Sequence, residues 1–234
     1  MTATHEAART ATTESTGTSG PAPGVRTPFA LLGAGALAMV AVEALNPTYD
    51  LVSETLSRYV HGTAGWLLPA ALLSVAVASA LLVARLAGAG GRTGRVVLGL
   101  WAAGIFVAGL FPADPPGHWH RPSPSELVHG NAAFLAFAAL PTAAVLLRKA
   151  LAARRPGLRT ALTVLTVASV ATTAALAVFL VDVMDGGPSL GLGDAPTLVG
   201  LVERLVLAAD LGWVALAVAA TSTRHGQGRE ARRG

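Results

Sequence analysis

Six apolar stretches alternate with short polar or Gly/Pro-rich segments along the chain. They occupy residues 28–45, 64–87, 96–113, 124–147, 160–181 and 198–220. At about 1.5 Å per residue even the shortest extends about 27 Å, within the range that spans a hydrocarbon core about 30 Å thick. The pattern predicts an all-α polytopic membrane protein, with a six-helix transmembrane domain over 27–221. Residues 1–26 are rich in Ala, Thr, Ser and Gly and carry no apolar period. They read as a disordered tail, too long and too weakly charged before the first apolar run to be a cleaved signal peptide. Residues 222–234 read as a basic C-terminal tail.

Two polar segments have their own signals. Asn46-Pro47 stops the first span, and 50–61, DLVSETLSRYVH, is too short and polar to cross. On a helical wheel Val52, Leu56, Tyr59 and Val60 share one face, and Ser53, Ser57 and His61 another. Asp50 is a fitting N-cap. A short helix lying in the membrane interface is expected here. Further on, Ser123-Pro124-Ser125-Glu126 reads as a capping box with proline at the first helical position. It starts the fourth span and puts His129 in its second turn. Pro141 should kink that span.

Composition sharpens this. The chain is 53% hydrophobic and 13% charged, about half the roughly 25% charge of a soluble domain. Fourteen of its seventeen Lys and Arg residues fall in the two tails and the second and fourth connections. By the positive-inside rule both termini are cytoplasmic and the odd-numbered loops face out. The same placement explains the pI near 10.6 without nucleic acid as a partner. The chain has no cysteine, which excludes disulfides, thiolate metal sites and cysteine nucleophiles.

The candidate chemistry lies in the outward layer. Ser53, Glu54, Ser57 and Arg58 come from the short helix, Asp114 from the third loop, and His129, Glu203 and Arg204 from spans. Charges inside a bilayer cost a few kcal/mol or more, so they face the bundle interior and pair. Glu203 and Arg204 are adjacent, point about 100° apart and cannot pair face to face. Arg204 is a natural partner for Asp114, Glu43 or an anionic ligand. A carboxylate such as Asp114 can fix the tautomer of His129, and Ser53 or Ser57 is then the hydroxyl such a base activates. His118, His120 and His129 have the ligand type for zinc, a secondary reading beside one with no cofactor. Small residues such as Ala34, Ala38, Gly99 and Gly104 are expected at helix contacts.

Three stretches together, VSETLSRYVHGTAGWL at 52–67, GLFPADP at 109–115 with HG at 129–130, and GLVERLVLAADLGW at 200–213, resemble the bacterial and archaeal membrane family catalogued as domain of unknown function 998. The resemblance covers residues 28 to 220. It implies a six-helix membrane domain and no assigned activity, and its motifs correspond here to Ser53, Glu54, Ser57, Asp114, His129 and Arg204. The inventory is also loosely similar to seven-helix membrane hydrolases that include the alkaline ceramidases, which hold zinc with three histidines beside a serine and an aspartate. This chain has six spans and no paired histidines in the last.

The leading expectation is a cell-membrane protein whose outward polar pocket binds a lipid headgroup or small anion, with membrane lipids as partners. One alternative is a membrane-embedded enzyme on a lipid or prenyl substrate. It acts as a hydrolase or transferase through Asp114, His129 and a serine, or as an isoprenoid cyclase with Glu203 or Asp210 as acid. A small transporter ranks behind both, because no inverted repeat or matching pair of broken spans is visible.

Overall fold

The computed structural model describes residues 24–222 apart from 88–90, 117–120 and 186. Among these residues the chain is helical: α1 (Arg26–Ala44), α2 (Leu67–Arg85), α3 (Arg92–Leu110), α4 (Pro124–Arg154), α5 (Arg159–Met184) and α6 (Val199–Ala220), with 3-10 segments at Leu56–His61 and Pro156–Leu158. Helices α1 to α5 are long and apolar enough to cross a membrane. Helix α6 has the length, but Glu203, Arg204 and Asp210 interrupt its apolar run. The tails assigned to 1–26 and 222–234 fall almost wholly outside the described residues, and Arg26 already belongs to α1.

Each helix packs on the next in sequence, and α6 also touches α1, α2 and α4. The last helix is therefore the central one, and Val206, Trp213, Val214, Ala217 and Val218 on it are essentially buried. Leu201 and Leu205 form its exposed side, while Glu203 and Asp210 are buried on the side that packs within the bundle, where charged groups can find partners.

Small residues set the closest approaches. A Cβ on Gly104 would lie 2.8 Å from Ala132 O, and one on Gly35 would lie 3.1 Å from Ala71 O. Gly99, by contrast, faces open space and Ala34 is exposed, so these two are not contact residues. Their helices turn the neighbouring small positions, Gly104 and Gly35, inward instead. Buried polar side chains are tied within the bundle. Trp101 Nε1 donates to Ser79 Oγ at 2.9 Å, Trp213 Nε1 to Thr166 Oγ1 at 3.1 Å, and Ser169 Oγ to Asp210 Oδ1 at 2.6 Å.

Helix α4 begins as the capping box requires, with Ser123 Oγ accepting from Glu126 N at 3.1 Å. It stays helical through Pro141. Proline has no N–H, so the carbonyl of Phe137 loses its intrahelical donor. Thr173 of α5 supplies a hydroxyl to that oxygen in a long 3.5 Å contact.

Candidate functional site at the acidic end of the bundle

The segment between α1 and α2 differs from the expected interfacial helix. Asp50 accepts from the backbone N–H of Val52 at 3.0 Å and of Ser53 at 3.2 Å, and from the Ser53 hydroxyl. It closes a local turn rather than capping a helix, and Thr55 is extended before the 3-10 segment begins at Leu56. The wheel face of Ser53, Ser57 and His61 therefore does not form, because only Leu56–His61 is helical, and with a tighter period. The segment is also only partly at the surface: Asp50, Leu51 and His61 are exposed, but its middle is not. Leu56, Arg58 and Tyr59 are buried, Arg58 to 2% exposure. The short polar hydrogen bonds of Asp50 overrode the amphipathic period, a known competition for Asp and Ser.

Helix α6 grips this segment through four residues of its first two turns, Gly200, Leu201, Glu203 and Arg204. A Cβ on Gly200 would lie 2.3 Å from Glu54 O, so the absence of a side chain there permits the contact. Leu201 N donates to Val52 O at 3.0 Å. Glu203 Oε2 accepts from Leu56 N at 2.5 Å, satisfying the first donor of the 3-10 segment. Arg204 donates through Nη1 to Glu54 O at 2.9 Å and through Nε to Glu43 Oε1 of α1 at 2.5 Å. Its guanidinium lies 5.5 Å from the Tyr59 ring centroid. Glu203 and Arg204 thus diverge as their adjacency required, one to the Leu56 N–H and the other to Glu43 of α1 and the Glu54 carbonyl.

Arg58 reaches the other way. Its Nη1 donates to Asp114 O at 2.7 Å and Pro115 O at 2.6 Å, carbonyls of a Pro-rich loop. Burial holds its pKa below the ordinary arginine value, and the carboxylates of Glu126, Glu54, Asp114 and Glu203 counter that pull. Burial also pushes Glu54 up, against the pull of Arg58. Asp114 Oδ2 accepts from Ser123 N at 2.7 Å while Asp114 N donates to Glu126 Oε2 at 2.5 Å. The reciprocal half of the capping box has therefore passed from Glu126 to Asp114, and Asp114 holds the α4 start rather than the imidazole.

His129 is oriented by backbone instead. Its Nδ1 lies 2.9 Å from Ala108 O and 2.8 Å from Phe111 O. Both are acceptors, so Nδ1 carries the hydrogen and, in the neutral ring, Nε2 holds the lone pair. Among the described residues Nε2 has no hydrogen-bond partner. His129 and Ser57 line one pocket of about 190 Å³, whose other walls are mainly apolar residues of α2, α3 and the third loop. Ser57 Oγ is 3.1 Å from Thr55 Oγ1. Ser53, Asp114 and Arg204 do not line this pocket.

A family model described as protein of unknown function (DUF998) covers residues 29–220. The chain belongs to the DUF998 family. Its DUF998 domain spans all six helices apart from the first residues of α1. Comparisons with curated proteins and with solved structures find no match.

Asn46, read from the sequence only as a stop for the first span, also ties two segments together. Buried, it donates to Val42 O at 2.7 Å and Thr63 O at 2.9 Å and accepts from Thr63 N at 2.6 Å, binding the end of α1 to the turn that precedes α2. Its position just after an apolar run was the available signal. Of the proposed zinc ligands, His118 and His120 lie outside the described residues. No group of three or more metal-ligating side chains occurs among the described ones.

Proposed function

We propose that this DUF998 protein is a six-span membrane protein that binds a lipid headgroup in the pocket lined by Ser57 and His129, on the face opposite both termini. The single observation behind this is the anchoring of His129 Nδ1 to two carbonyls, which leaves Nε2 as an acceptor on a ring that lines, with Ser57, a pocket of mainly apolar walls. At about 30 Å³ per water, the pocket has room for a headgroup fragment. An acceptor in apolar surroundings favours a ligand that donates a hydrogen bond, since burying a polar atom unpaired is costly. The anionic alternative has less support, because Arg204 is engaged by Glu43 and Arg58 by two carbonyls.

The sixth span is supported by the internal partners of α6. Glu203, Arg204 and Asp210 each have a bond within the bundle, so their charges need not meet lipid. The orientation is supported by the basic residues around the other end of the helices.

The test compares phosphatidylethanolamine, whose ammonium donates, with phosphatidylcholine, which has no such donor. Native mass spectrometry of the full chain released from mixed bilayer discs would count each lipid retained. His129→Asn keeps a donor for the carbonyls and deletes Nε2. Wild type is expected to prefer phosphatidylethanolamine and the variant to lose that preference. Equal retention of the two lipids by wild type would overturn the reading.

The presence of Ser57 and His129 in one pocket supports a second reading, a serine hydrolase acting on a lipid ester. The base would be His129 Nε2, with carbonyls in the orienting role that a carboxylate usually takes. A fluorophosphonate probe should then label the protein, and Ser57→Ala should abolish labelling. No labelling of the wild type excludes it.

A further inference from the structure

The opposite end of the bundle carries a separate arrangement. Arg26, Arg85, Arg92, Arg95, Arg148, Lys149, Arg154, Arg155 and Arg159 lie at the α1, α3 and α5 starts and the α2 and α4 ends. Among the described residues no Asp or Glu lies there. These helix ends converge. A Cβ on Gly24 would lie 2.8 Å from Arg85 Nη2, and Arg155 Nη2 donates to Ser222 Oγ at 2.8 Å. Among the described residues the face is a concentrated positive charge with no carboxylate beside it, where a membrane surface would meet it.

A groove of about 490 Å³ runs along the seam of α4 and α5, from Phe134 to Leu146 on one wall and Val170 to Leu180 on the other. At about 1.5 Å per residue its α4 wall is roughly 18 Å long. The two hydroxyls in its lining donate to backbone carbonyls. Thr142 donates to Ala138 O at 2.8 Å and Thr173 to Phe137 O, so the groove presents hydrocarbon. Its cationic continuation follows from helical geometry. Lys149 is one turn beyond Val145 on the same face of α4, and Arg159 lies three turns before Val170 on the groove face of α5. Both are exposed.

We propose that this groove and its basic mouth bind one anionic phospholipid, with a hydrocarbon chain along the α4–α5 seam and the phosphate at Lys149 and Arg159. Charge complementarity selects the occupant. A neutral chain satisfies the groove alone, whereas a lipid of net negative charge satisfies both parts, and basic residues between helices at one leaflet suit such headgroups. The site is independent of the His129 pocket.

The experiment loads the full chain into discs containing equal phosphatidylglycerol and phosphatidylcholine of identical chains, then counts retained lipids by native mass spectrometry. The double variant Lys149→Gln/Arg159→Gln is expected to retain phosphatidylglycerol with affinity lower by about tenfold or more. Ala177→Phe, which fills the groove from an exposed position, should reduce it likewise. Arg26→Gln/Arg92→Gln, of equal charge change away from the groove, should remain close to wild type. Equal loss in both double variants would mean a diffuse surface field and overturn the site. So would undiminished retention in Ala177→Phe, or equal retention of the two lipids by wild type.

Discussion

Glu203 and Leu56, 147 positions apart, are joined by a 2.5 Å hydrogen bond from the buried Leu56 N–H to the buried carboxylate. It fixes the loop between α1 and α2 against the central helix. Removing the acceptor leaves a buried donor unsatisfied, at about 1–3 kcal/mol. Glu203→Ala should therefore lower the unfolding midpoint in detergent clearly, and Glu203→Gln, which retains an accepting oxygen, less so. Equal midpoints for the two variants would contradict this role.

Arg204 and Glu43 form a partly buried ion pair, 18% and 23% exposed. A double-mutant cycle with Arg204→Ala and Glu43→Ala should give a coupling of about 0.5–3 kcal/mol. Arg204→Lys should recover little, because an ammonium cannot reach Glu43, Glu54 O and Gly200 O with one planar fork. Additive single losses would place the pair among ion pairs of no consequence.

Two glycines give opposite expectations. Gly200→Ala would bring a Cβ to 2.3 Å from Glu54 O, while Gly99 has nothing within 4 Å. The first substitution must move backbone against backbone and should unfold the clasp, read as loss of the folded species in size-exclusion chromatography. Gly99→Ala should be neutral or raise the unfolding free energy by up to about 1 kcal/mol, the ordinary helical gain.

The helices and the α4 cap were legible because long apolar runs and Ser-Pro-Ser-Glu leave few alternatives. The partnership of Arg204 with Glu43 was among the pairings that charge and depth allowed. Other features were not legible. Arg58 in a polar loop reads as a surface residue, since nothing local announces that carbonyls of a distant Pro-rich loop will surround it. A helical wheel over 50–61 assumes a helix, and Asp50 prevents one by bonding its own following backbone. Asp114 and His129 were matched by chemical type, but residue type does not give direction, and the two side chains serve different backbones. What the sequence did carry was that His129 sits inside a helix near a loop, where its ring can be fixed.

The two loop carboxylates should respond oppositely to pH. Hydrogen bonds from the Ser53 hydroxyl and the Val52 N–H hold Asp50 below its ordinary value. Its stabilisation is present above the unfolded pKa and is lost as pH falls through the folded one. Asp50→Asn should thus be less stable than wild type at pH 7, and the difference should vanish in acid. Burial raises Glu54, so its favourable contribution exists below the unfolded pKa and is lost as pH rises through the folded value. Glu54→Gln should raise the midpoint at pH 7. Thermal melts from pH 3 to pH 8 would check both signs.

The central claim is that the Ser57–His129 pocket opens on the face opposite both termini and away from the cationic end. The chain has no native cysteine, so single substitutions report location without background. Ser57→Cys and Arg92→Cys, expressed separately in intact cells, would be exposed to a membrane-impermeant maleimide. The account expects Ser57→Cys to be labelled in intact cells and Arg92→Cys only after permeabilisation. Labelling in the reverse order, or of both variants in intact cells, would contradict it.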